Sequence, residues 1–404
     1  MNKHWIKLLV VTVIAVLLAL WVQAGRNPQS TDENHGAKLI PELKSEVNAV
    51  QQLRIVGPGD QTLVTLKKGE STWTVLEKDG YEADLDKVRE YLLRLADASL
   101  IESKTANPEL YERLGVGDVA GSDAKGLRIE LEGMKKPVKL IVGNFNGQGG
   151  PSTFVRRNDE AKSWLVKGSL VPEKLAANWV QKALSDIPSS RIQRVEITWN
   201  GKKVVARKDT AADANYQIDD VPKGRELNTA FEGNGPASVL AGLRFEDVRK
   251  ADPESLNATT ATVSTRLQTF DGVVVTAISA YIGDKTWVEY SATLDPVIAE
   301  ASILVSQAQA AKDYEASKQA AQEAAAQAAA DAQKKDVEVA AAPEQPLAMT
   351  DPAKDKTERM QALQDEVSAL NLRFKGWQFV LPPYTYSNMS RKMEELLKPE
   401  KAES

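Results

Sequence analysis

The sequence predicts an α+β protein built from two tandem, similar strand-rich domains with flanking helices. Three observations favour this class: short segments that alternate apolar and polar residues recur between turn signals, two stretches repeat one order of elements, and an alanine-rich segment interrupts the second stretch. An N-terminal membrane helix and a long Ala-rich helical hairpin inserted in the second domain complete the predicted architecture. A chain of 404 residues is long enough for two or three domains with hydrophobic cores.

The charge balance and the missing residue types exclude several classes of function. The 51 Lys and Arg residues are outnumbered by 56 Asp and Glu, which argues against nucleic acid as the main partner. The chain has no Cys, so thiol nucleophiles, disulfides and zinc–thiolate sites are excluded. The two histidines, His4 and His35, lie outside the predicted domains, which excludes a Ser-His-Asp triad and a histidine metal site. We therefore predict no catalytic residue, no metal ligand and no cofactor.

The first 25 residues predict a membrane anchor. Lys3 and Lys7 precede an apolar run over residues 8–22. A helix over residues 5–25 is long enough to cross the hydrocarbon core of a bilayer, which takes about 20 residues. The positions expected to lie in the membrane or at its interface are Trp5, Leu8, Val13, Leu17 and Trp21.

A cleaved signal peptide is the alternative to a retained anchor, with cleavage after Ala24. In both cases the N-terminal lysines keep the N-terminus in the cytoplasm, so we expect the rest of the chain in the periplasm, beside the bacterial inner membrane. Residues 26–49 are polar and predict a linker between the anchor and the first domain.

Residues 50–190 predict the first α+β domain. Apolar residues at spacings of three and four after Asp84 predict a helix over residues 85–95. A second helix is expected to begin at Pro172 and to run through Leu175, Trp179 and Leu184. Alternating apolar and polar residues between turn signals predict strands at residues 53–56, 62–66, 72–76, 127–131, 138–142, 153–156 and 164–166.

Residues 191–294 and 371–404 predict the second α+β domain. It begins with a hairpin, because both residues of the Asn200-Gly201 turn tolerate positive φ. Helices are expected over residues 237–243 and near the C-terminus. The expected strands lie at residues 195–199, 203–206, 216–218, 267–270, 273–278, 286–290 and 377–380. Because this order of elements repeats that of the first domain, we predict an internal duplication.

Residues 295–370 predict an inserted helical hairpin. Asp295-Pro296 and Asp351-Pro352 each place an N-cap residue before a proline at the first helical position. Of the 34 residues from 299 to 332, 15 are Ala, which has the best helix propensity. The hairpin is either a docking arm for a partner or a spacer packed on its own second helix. The candidate partner-binding residues are Ala308, Ala325 and Leu363.

Few residues in the predicted domains suggest chemistry. The glycine-rich stretch over residues 143–150 lacks the GK[ST] ending of a phosphate-binding loop and predicts a hairpin loop instead. Two carboxylate pairs, Glu130 with Glu132 and Asp219 with Asp220, keep acid–base hydrolysis open as an alternative. A group of aromatic residues is expected in the core rather than at a ligand; its members are Trp377, Tyr384 and Tyr386.

Five short motifs stand out in the predicted turns and strands. They are Tyr111-Glu-Arg-Leu-Gly-Val116, Leu140-Ile-Val-Gly143, Thr153-Phe-Val155, Leu243-Arg-Phe-Glu-Asp-Val248 and Gly376-Trp-Gln-Phe-Val-Leu-Pro382. These motifs resemble those of the bacterial family called domain of unknown function 4340, and the resemblance spans roughly residues 50–400. It implies a membrane-anchored extracytoplasmic protein linked with ABC-type transport systems of the gliding-motility kind, and it supplies no catalytic residues.

The sequence thus predicts a non-enzymatic binding or scaffolding protein that is anchored in the inner membrane. We expect it to be an auxiliary component of an ABC-type transport or envelope complex, with an envelope protein as its partner. Two alternatives stay open: a carboxylate-dependent cell-envelope hydrolase, and a periplasmic domain that binds a small ligand or a glycan between its two halves.

Overall fold

The computed structural model describes residues 35–252, 263–331 and 343–399. It divides into two compact units, Met1–Val180 and Gln181–Ser404. Each unit contains a large antiparallel sheet with helices, which confirms the α+β class. The predicted anchor over residues 5–25 lies outside the described residues. In the part of the chain that is described, no helix is both long and apolar enough to span a bilayer.

The first unit is built on a sheet of nine strands. Their order is β4-β3-β2-β1-β6-β7-β8-β9-β5, and every pair is antiparallel. Buried apolar side chains of the strands form the core; Leu53, Ile55, Val64, Leu66 and Leu131 have no exposed surface. The strands are β1 Gln52–Val56, β2 Thr62–Lys68, β3 Trp73–Val75, β4 Tyr81–Glu82, β5 Leu100–Ser103, β6 Leu127–Glu132, β7 Val138–Asn146, β8 Ser152–Arg157 and β9 Ser163–Lys167.

Within the described residues of the first unit, three α-helices accompany this sheet. The longest, α2, forms where the apolar spacing predicts it, and its N-cap Asp84 accepts a hydrogen bond from the backbone N of Lys87. Its buried face includes Tyr91, whose ring meets Trp179 edge-on with centroids 5.6 Å apart. The helices are α1 Leu43–Glu46, α2 Leu85–Asp97 and α3 Tyr111–Leu114.

Part of the expected linker is folded into the first unit. Leu39 and Leu43 are fully buried, and the backbone of Lys38 bridges to Ser99. Residues 35–49 therefore belong to the fold, and only residues 26–34 of the linker lie outside the described residues. His35, which the sequence places outside the domains, contacts the carbonyl oxygen of Ile101 through Nδ1 at 2.7 Å.

The helix expected to begin at Pro172 does not form. A single 3₁₀ turn at Ala176–Asn178 takes its place, followed by a strand that belongs to the second unit. The indole of Trp179 donates to the carbonyl of Glu173, and its backbone carbonyl accepts from Asp84. These bonds use groups that an α-helix would pair internally, so tertiary contacts override the local helix preference.

The second unit contains an eight-stranded sheet in the order β13-β12-β11-β16-β17-β18-β19-β15, with β10 and β14 paired separately. The Asn200-Gly201 turn has φ of 43° and 80°, as the hairpin prediction requires. The strands are β10 Ala183–Ser185, β11 Ile192–Trp199, β12 Lys202–Arg207, β13 Gln217–Ile218, β14 Leu243–Arg244, β15 Asp247–Lys250, β16 Val263–Thr269, β17 Val273–Ile282, β18 Lys285–Leu294 and β19 Trp377–Val380.

Two predicted helices of the second unit differ from the structure. The helix expected over residues 237–243 is only one turn long and ends at Ala237, because Leu243 pairs with Ser185 as a strand. The C-terminal helix is broken into two short helices. The α-helices of this unit are α4 Asn234–Ala237, α5 Pro296–Asp331, α6 Leu347–Thr350, α7 Pro352–Phe374, α8 Pro383–Met389 and α9 Met393–Leu396.

Eight strands follow one order in both sheets. The first sheet reads β3-β2-β1-β6-β7-β8-β9-β5 and the second reads β13-β12-β11-β16-β17-β18-β19-β15, so each strand has a counterpart at the same place in the chain. The chain passes from β8 to β9 through residues 158–162, but from β18 to β19 through residues 295–376. Helices α5 to α7 therefore occupy the position of a short hairpin loop.

Candidate partner-binding surface

Helix α5 begins with a fixed N-terminus. The carboxylate of Asp295 accepts hydrogen bonds from the backbone N of Val297 and of Ile298, as an N-cap residue should. The backbone N of Asp295 donates to Gly272, which has φ of 88°. A Cβ at Gly272 would lie 2.7 Å from the Asp295 carbonyl oxygen, so this turn packs directly against the start of α5.

Arg191 fastens α7 to the end of the second sheet. Its two terminal nitrogens donate to the two carboxylate oxygens of Glu366, each at 2.7 Å, and its Nε donates to Asp271 at 2.7 Å. This fork-to-fork geometry fixes both the position and the orientation of Glu366. The hydrogen bonds to Glu366, opposed by burial and reinforced by Asp271, raise the pKa of Arg191 above its ordinary value.

The C-terminal half of α7 packs on β18. The side chain of Asn371 accepts from the backbone N of Ala292 at 2.9 Å and donates to its carbonyl at 2.8 Å. Phe374 is 1% exposed, and its ring lies 5.2 Å from that of Tyr290. Because these groups complete the backbone pairing of a sheet residue and fill the core, α7 is an integral part of the second unit.

A buried carboxylate joins α5 to α7. Asp355 is 6% exposed and accepts hydrogen bonds from Gln307 at 2.9 Å and from Arg359 at 2.8 Å. The hydrogen bond from Gln307, opposed by burial and supported by Arg359, lowers the pKa of Asp355. A second link is the ion pair between Lys356 and Glu300 at 3.4 Å. The first half of α5 is therefore held along one side.

The opposite side of α5 is apolar and open. Val297 is 76% exposed, Leu304 58% and Val305 70%, whereas the intervening Ile303 is 4% exposed. Ala301 and Ala308 are also exposed. The five exposed residues lie on one face of the helix because they follow the spacing of three and four. We call this face the α5 stripe: Val297, Ala301, Leu304, Val305 and Ala308.

The candidate partner-binding residues lie in different surroundings. Ala308 belongs to the α5 stripe, whereas Ala325 lies in the second half of α5, where no side chain from residue 312 to residue 327 is buried. Leu363 lies on α7 and is half-buried. The sequence analysis missed Val297, Leu304 and Val305, although their spacing in an alanine-rich helix was a readable signal of an apolar face.

The first carboxylate pair belongs to an ion network on the first sheet. Glu130 is 3% exposed and accepts hydrogen bonds from Arg54 and Arg128, each with a 2.7 Å contact through Nε. Arg128 also donates to Asp60. Burial alone would raise the pKa of Glu130, but the hydrogen bonds from Arg128 and Arg54 outweigh it and lower that pKa. The neighbouring Glu132 is 49% exposed.

The second carboxylate pair, Asp219 and Asp220, lies in the turn that follows β13. Asp219 accepts from Arg207 at 2.8 Å, and Asp220 has φ of 56°. Every described carboxyl group with a clear pKa shift has a lowered pKa, because each accepts hydrogen bonds that favour its charged form. These groups are Glu130, Glu196, Asp213, Glu226 and Asp355. A general acid needs a raised pKa, so these groups do not support the hydrolase alternative.

The remaining sequence candidates have ordinary structural positions. The glycine-rich stretch forms the end of β7 and most of the turn to β8, so a strand and not a helix N-terminus follows it. The prediction that the aromatic group lies in the core is wrong for Tyr384, which is 76% exposed. Tyr386 shares a hydrogen bond with Ser279 and Trp377 lies on β19, and both are half-buried. Among the residues described, no group of three His, Cys, Asp or Glu side chains is arranged to hold a metal ion.

Three of the sequence motifs meet in the first unit. A Cβ at Gly143 would lie 2.3 Å from the carbonyl oxygen of Leu114, so the end of α3 packs directly against β7. Phe154 on β8 packs against the buried cluster of Tyr111, Val116 and Ile141, and the next residue but one, Arg156, donates to the carbonyl of Val116 at 2.9 Å. The motifs thus hold the connection after β5 against the sheet.

The other two motifs pair with each other in the second unit. Strands β15 and β19 are antiparallel neighbours, with Val248 opposite Phe379. The ring of Phe245 lies 5.0 Å from that of Phe379. The five motifs are therefore explained by packing.

These features define an α+β protein with two large antiparallel sheets and a helical arm. Residues 73–261 match the family model described as "Domain of unknown function (DUF4340)". The match confirms, over these residues, the resemblance that the motifs indicate; it includes four of the five motifs, and the motif at residues 376–382 lies beyond it. No curated protein and no solved structure matches the chain.

Proposed function

We propose that this protein is a non-enzymatic scaffolding subunit, anchored in the bacterial inner membrane with its two units in the periplasm. Its partner in this proposal is an envelope protein of an ABC-type transport complex, which docks on helix α5. The observation that carries the proposal is the α5 stripe, whose residues Val297, Leu304 and Val305 are between 58% and 76% exposed. A contiguous exposed apolar face on a soluble unit is typical of an interaction site.

The way in which α7 and the first half of α5 are held to the second unit supports a docking role. Two independent links fix it: the bidentate pair of Arg191 with Glu366, and the bonds of Asp355 to Gln307 and Arg359. A surface that is already rigid loses less conformational entropy when it binds a partner. An apolar helical face of this length suits a helix-in-groove or helix-on-helix contact.

The assignment to the membrane rests on the sequence of residues 1–25. The apolar run and the two lysines before it support a single-pass anchor with a cytoplasmic N-terminus. The link with ABC-type transport rests on the family resemblance alone.

Site-specific photocrosslinking in living cells tests the proposal. A photoreactive residue at Leu304 or at Ala308 should give an adduct with one envelope protein. The matched control is Asp313, an exposed residue on a different face of the same helix. Equal adducts at all three positions, or none at Leu304 and Ala308, would reject α5 as the docking surface. A chain found in the cytosolic fraction would reject the anchor.

A further inference from the structure

Residues 35–42 form a clasp along the edge of the first sheet. The backbone N of Gly36 donates to the carbonyl of Leu100 at 2.8 Å, and the N of Leu39 donates to that of Ala98 at 2.9 Å. The guanidinium of Arg157 donates to the carbonyl of Leu39 at 2.7 Å. The clasp therefore fixes the place where the chain enters the first unit.

The length of chain before the clasp limits its distance from the proposed anchor. Ten residue steps separate Gly25, the end of the proposed membrane helix, from His35. A fully extended chain covers at most about 3.3–3.6 Å per residue, so this stretch spans no more than about 35 Å. The clasp edge of the first unit consequently lies close to the bilayer if the anchor is retained.

The clasp and the hairpin between β6 and β7 form a groove that has exposed lysines at its rim. It has a volume of about 310 Å³ and is lined by clasp residues 39–42 and by Lys136, Lys139 and Arg157. Lys136 and Lys139 are exposed, and the side chain of the adjacent Lys135 is 90% exposed.

Most acidic side chains around this groove are either less exposed than the lysines or bonded to a basic side chain, and two are exposed. Glu46, 4.0 Å from the Lys135 ammonium, is 17% exposed, and Glu160 is bonded to Arg157. Glu42 and Asp159 are the exposed acids of the groove lining. A flat anionic surface that approaches the hairpin between β6 and β7 therefore meets ammonium groups of long lysine side chains.

We propose that this surface, the clasp with Lys135, Lys136 and Lys139, rests on the anionic phospholipid headgroups of the inner membrane. The inference depends on the anchor in the proposed function, because a tether of about 35 Å gives the surface a high effective concentration at the bilayer. A weak electrostatic contact is then sufficient to orient the first unit. The contact uses residues of the first unit, whereas the α5 stripe belongs to the second unit.

A single fluorescent label on the full chain in lipid nanodiscs tests the orientation. The chain has no Cys, so Asp159→Cys places one label on the groove rim. Asp123→Cys is the matched control, since Gly121 in the same loop pairs with Gly59 at the far end of β1. With a quencher on phosphatidylglycerol headgroups, the label at position 159 should be quenched at least twofold more than that at position 123.

The charge dependence separates lipid contact from mere proximity. The difference should disappear in phosphatidylcholine discs, in 0.5 M salt, and in the triple variant Lys135→Glu, Lys136→Glu, Lys139→Glu. The salt measurement uses the unmodified lysines, so it does not depend on how the triple variant folds. Equal quenching at the two positions in anionic discs would overturn the inference alone. A chain that does not enter the discs would reject the anchor, and the inference with it.

Discussion

Arg54 on β1 and Glu130 on β6 lie directly opposite each other across the first sheet, and Nε of Arg54 donates to the carboxylate at 2.7 Å. The counterparts of these strands are β11 and β16, and there Glu196 lies opposite Arg266. Both sheets thus place an oppositely charged pair between equivalent strands, but the acid and the base have exchanged sides. Cross-strand pairs of opposite charge favour one register over its neighbours.

The first prediction concerns the buried carboxylate of this pair. Glu130→Gln should lower the free energy of unfolding by about 2 kcal/mol, because two arginines then lose their shared anion in a partly buried network. Glu132→Gln, which changes the exposed acid on the same strand, should cost less than about 0.5 kcal/mol. Urea unfolding at pH 7 measures both, and equal effects would contradict the structural role of Glu130.

The second prediction is the pH dependence of the same contribution. The folded pKa of Glu130 is lowered, so its carboxylate stabilises the fold above the unfolded pKa of about 4.3 and loses that effect as the pH falls through the folded pKa. The stability difference between the wild-type chain and Glu130→Gln should be full at pH 6 and should shrink below about pH 4.3. A difference that stays constant down to pH 3 would be inconsistent with the lowered pKa.

The third prediction tests the bidentate ion pair between Arg191 and Glu366, which holds α7 to the second sheet. Glu366→Gln should destabilise the second unit by about 1–3 kcal/mol, because Arg191 loses a bidentate charged partner. The nearby Glu358→Gln should change stability by less than about 0.5 kcal/mol, since its partner, Lys354, is an exposed residue on the same helix. Amide hydrogen exchange should become faster in α7 for Glu366→Gln only. Unchanged exchange there would show that Arg191 does not hold the helix.

The fourth prediction uses two glycines, Gly143 in strand β7 and Gly147 in the loop that follows it. Gly143→Ala should destabilise the first unit by about 1–3 kcal/mol, because its Cβ would lie 2.3 Å from the Leu114 carbonyl oxygen. Gly147→Ala should be nearly neutral, since its Cβ would lie 3.5 Å from the ring of Phe145. Thermal unfolding of both variants measures the contrast, and a tolerant Gly143 would disprove the close approach of α3 to β7.

The fifth prediction distinguishes the two sides of α5. Ile303→Ala should lower the free energy of unfolding by about 2–4 kcal/mol, because Ile303 is 4% exposed and its removal leaves a cavity. Leu304→Ala, one residue further along, should change it by less than about 0.5 kcal/mol. Chemical denaturation checks both. Comparable losses would mean that Leu304 is covered by another part of the chain.

Local signals explain what the sequence predicts well. Alternation between turn residues gives the strands, Asn200-Gly201 gives a hairpin, and Asp295 and Asp351 both cap helices through their carboxylates. These features depend on neighbours within a few residues. The repeated order of elements follows from the same signals, and the strand order of the two sheets agrees with it.

Long-range contacts explain what the sequence does not predict. The stretch beginning at Pro172 has helix-forming residues, but the carbonyl of Trp179 accepts from the backbone N of Asp84, the N-cap residue of α2, and the helix does not form. Leu39 and Leu43 lie in a segment that is otherwise polar. They are buried because this segment packs against the first unit, which is formed by residues distant from it in the sequence. Arg191 and Glu366 are 175 residues apart, and no periodicity relates them. The α5 stripe was readable from spacing, but its exposure depends on where α7 lies.

Helices α5 to α7 lie where the first sheet has a loop of a few residues, so the length of this connection and the pairing of the strands can change independently. Strands β18 and β19 pair at Val288 and Phe379, inside both strands, so this pairing does not depend on how many residues connect them. The outer part of α5 beyond Lys312 can therefore lengthen, shorten or change composition during evolution while both sheets keep their register. We accordingly expect homologous chains to vary most in the reach of this arm, and an engineer could graft a reporter or a binding peptide there.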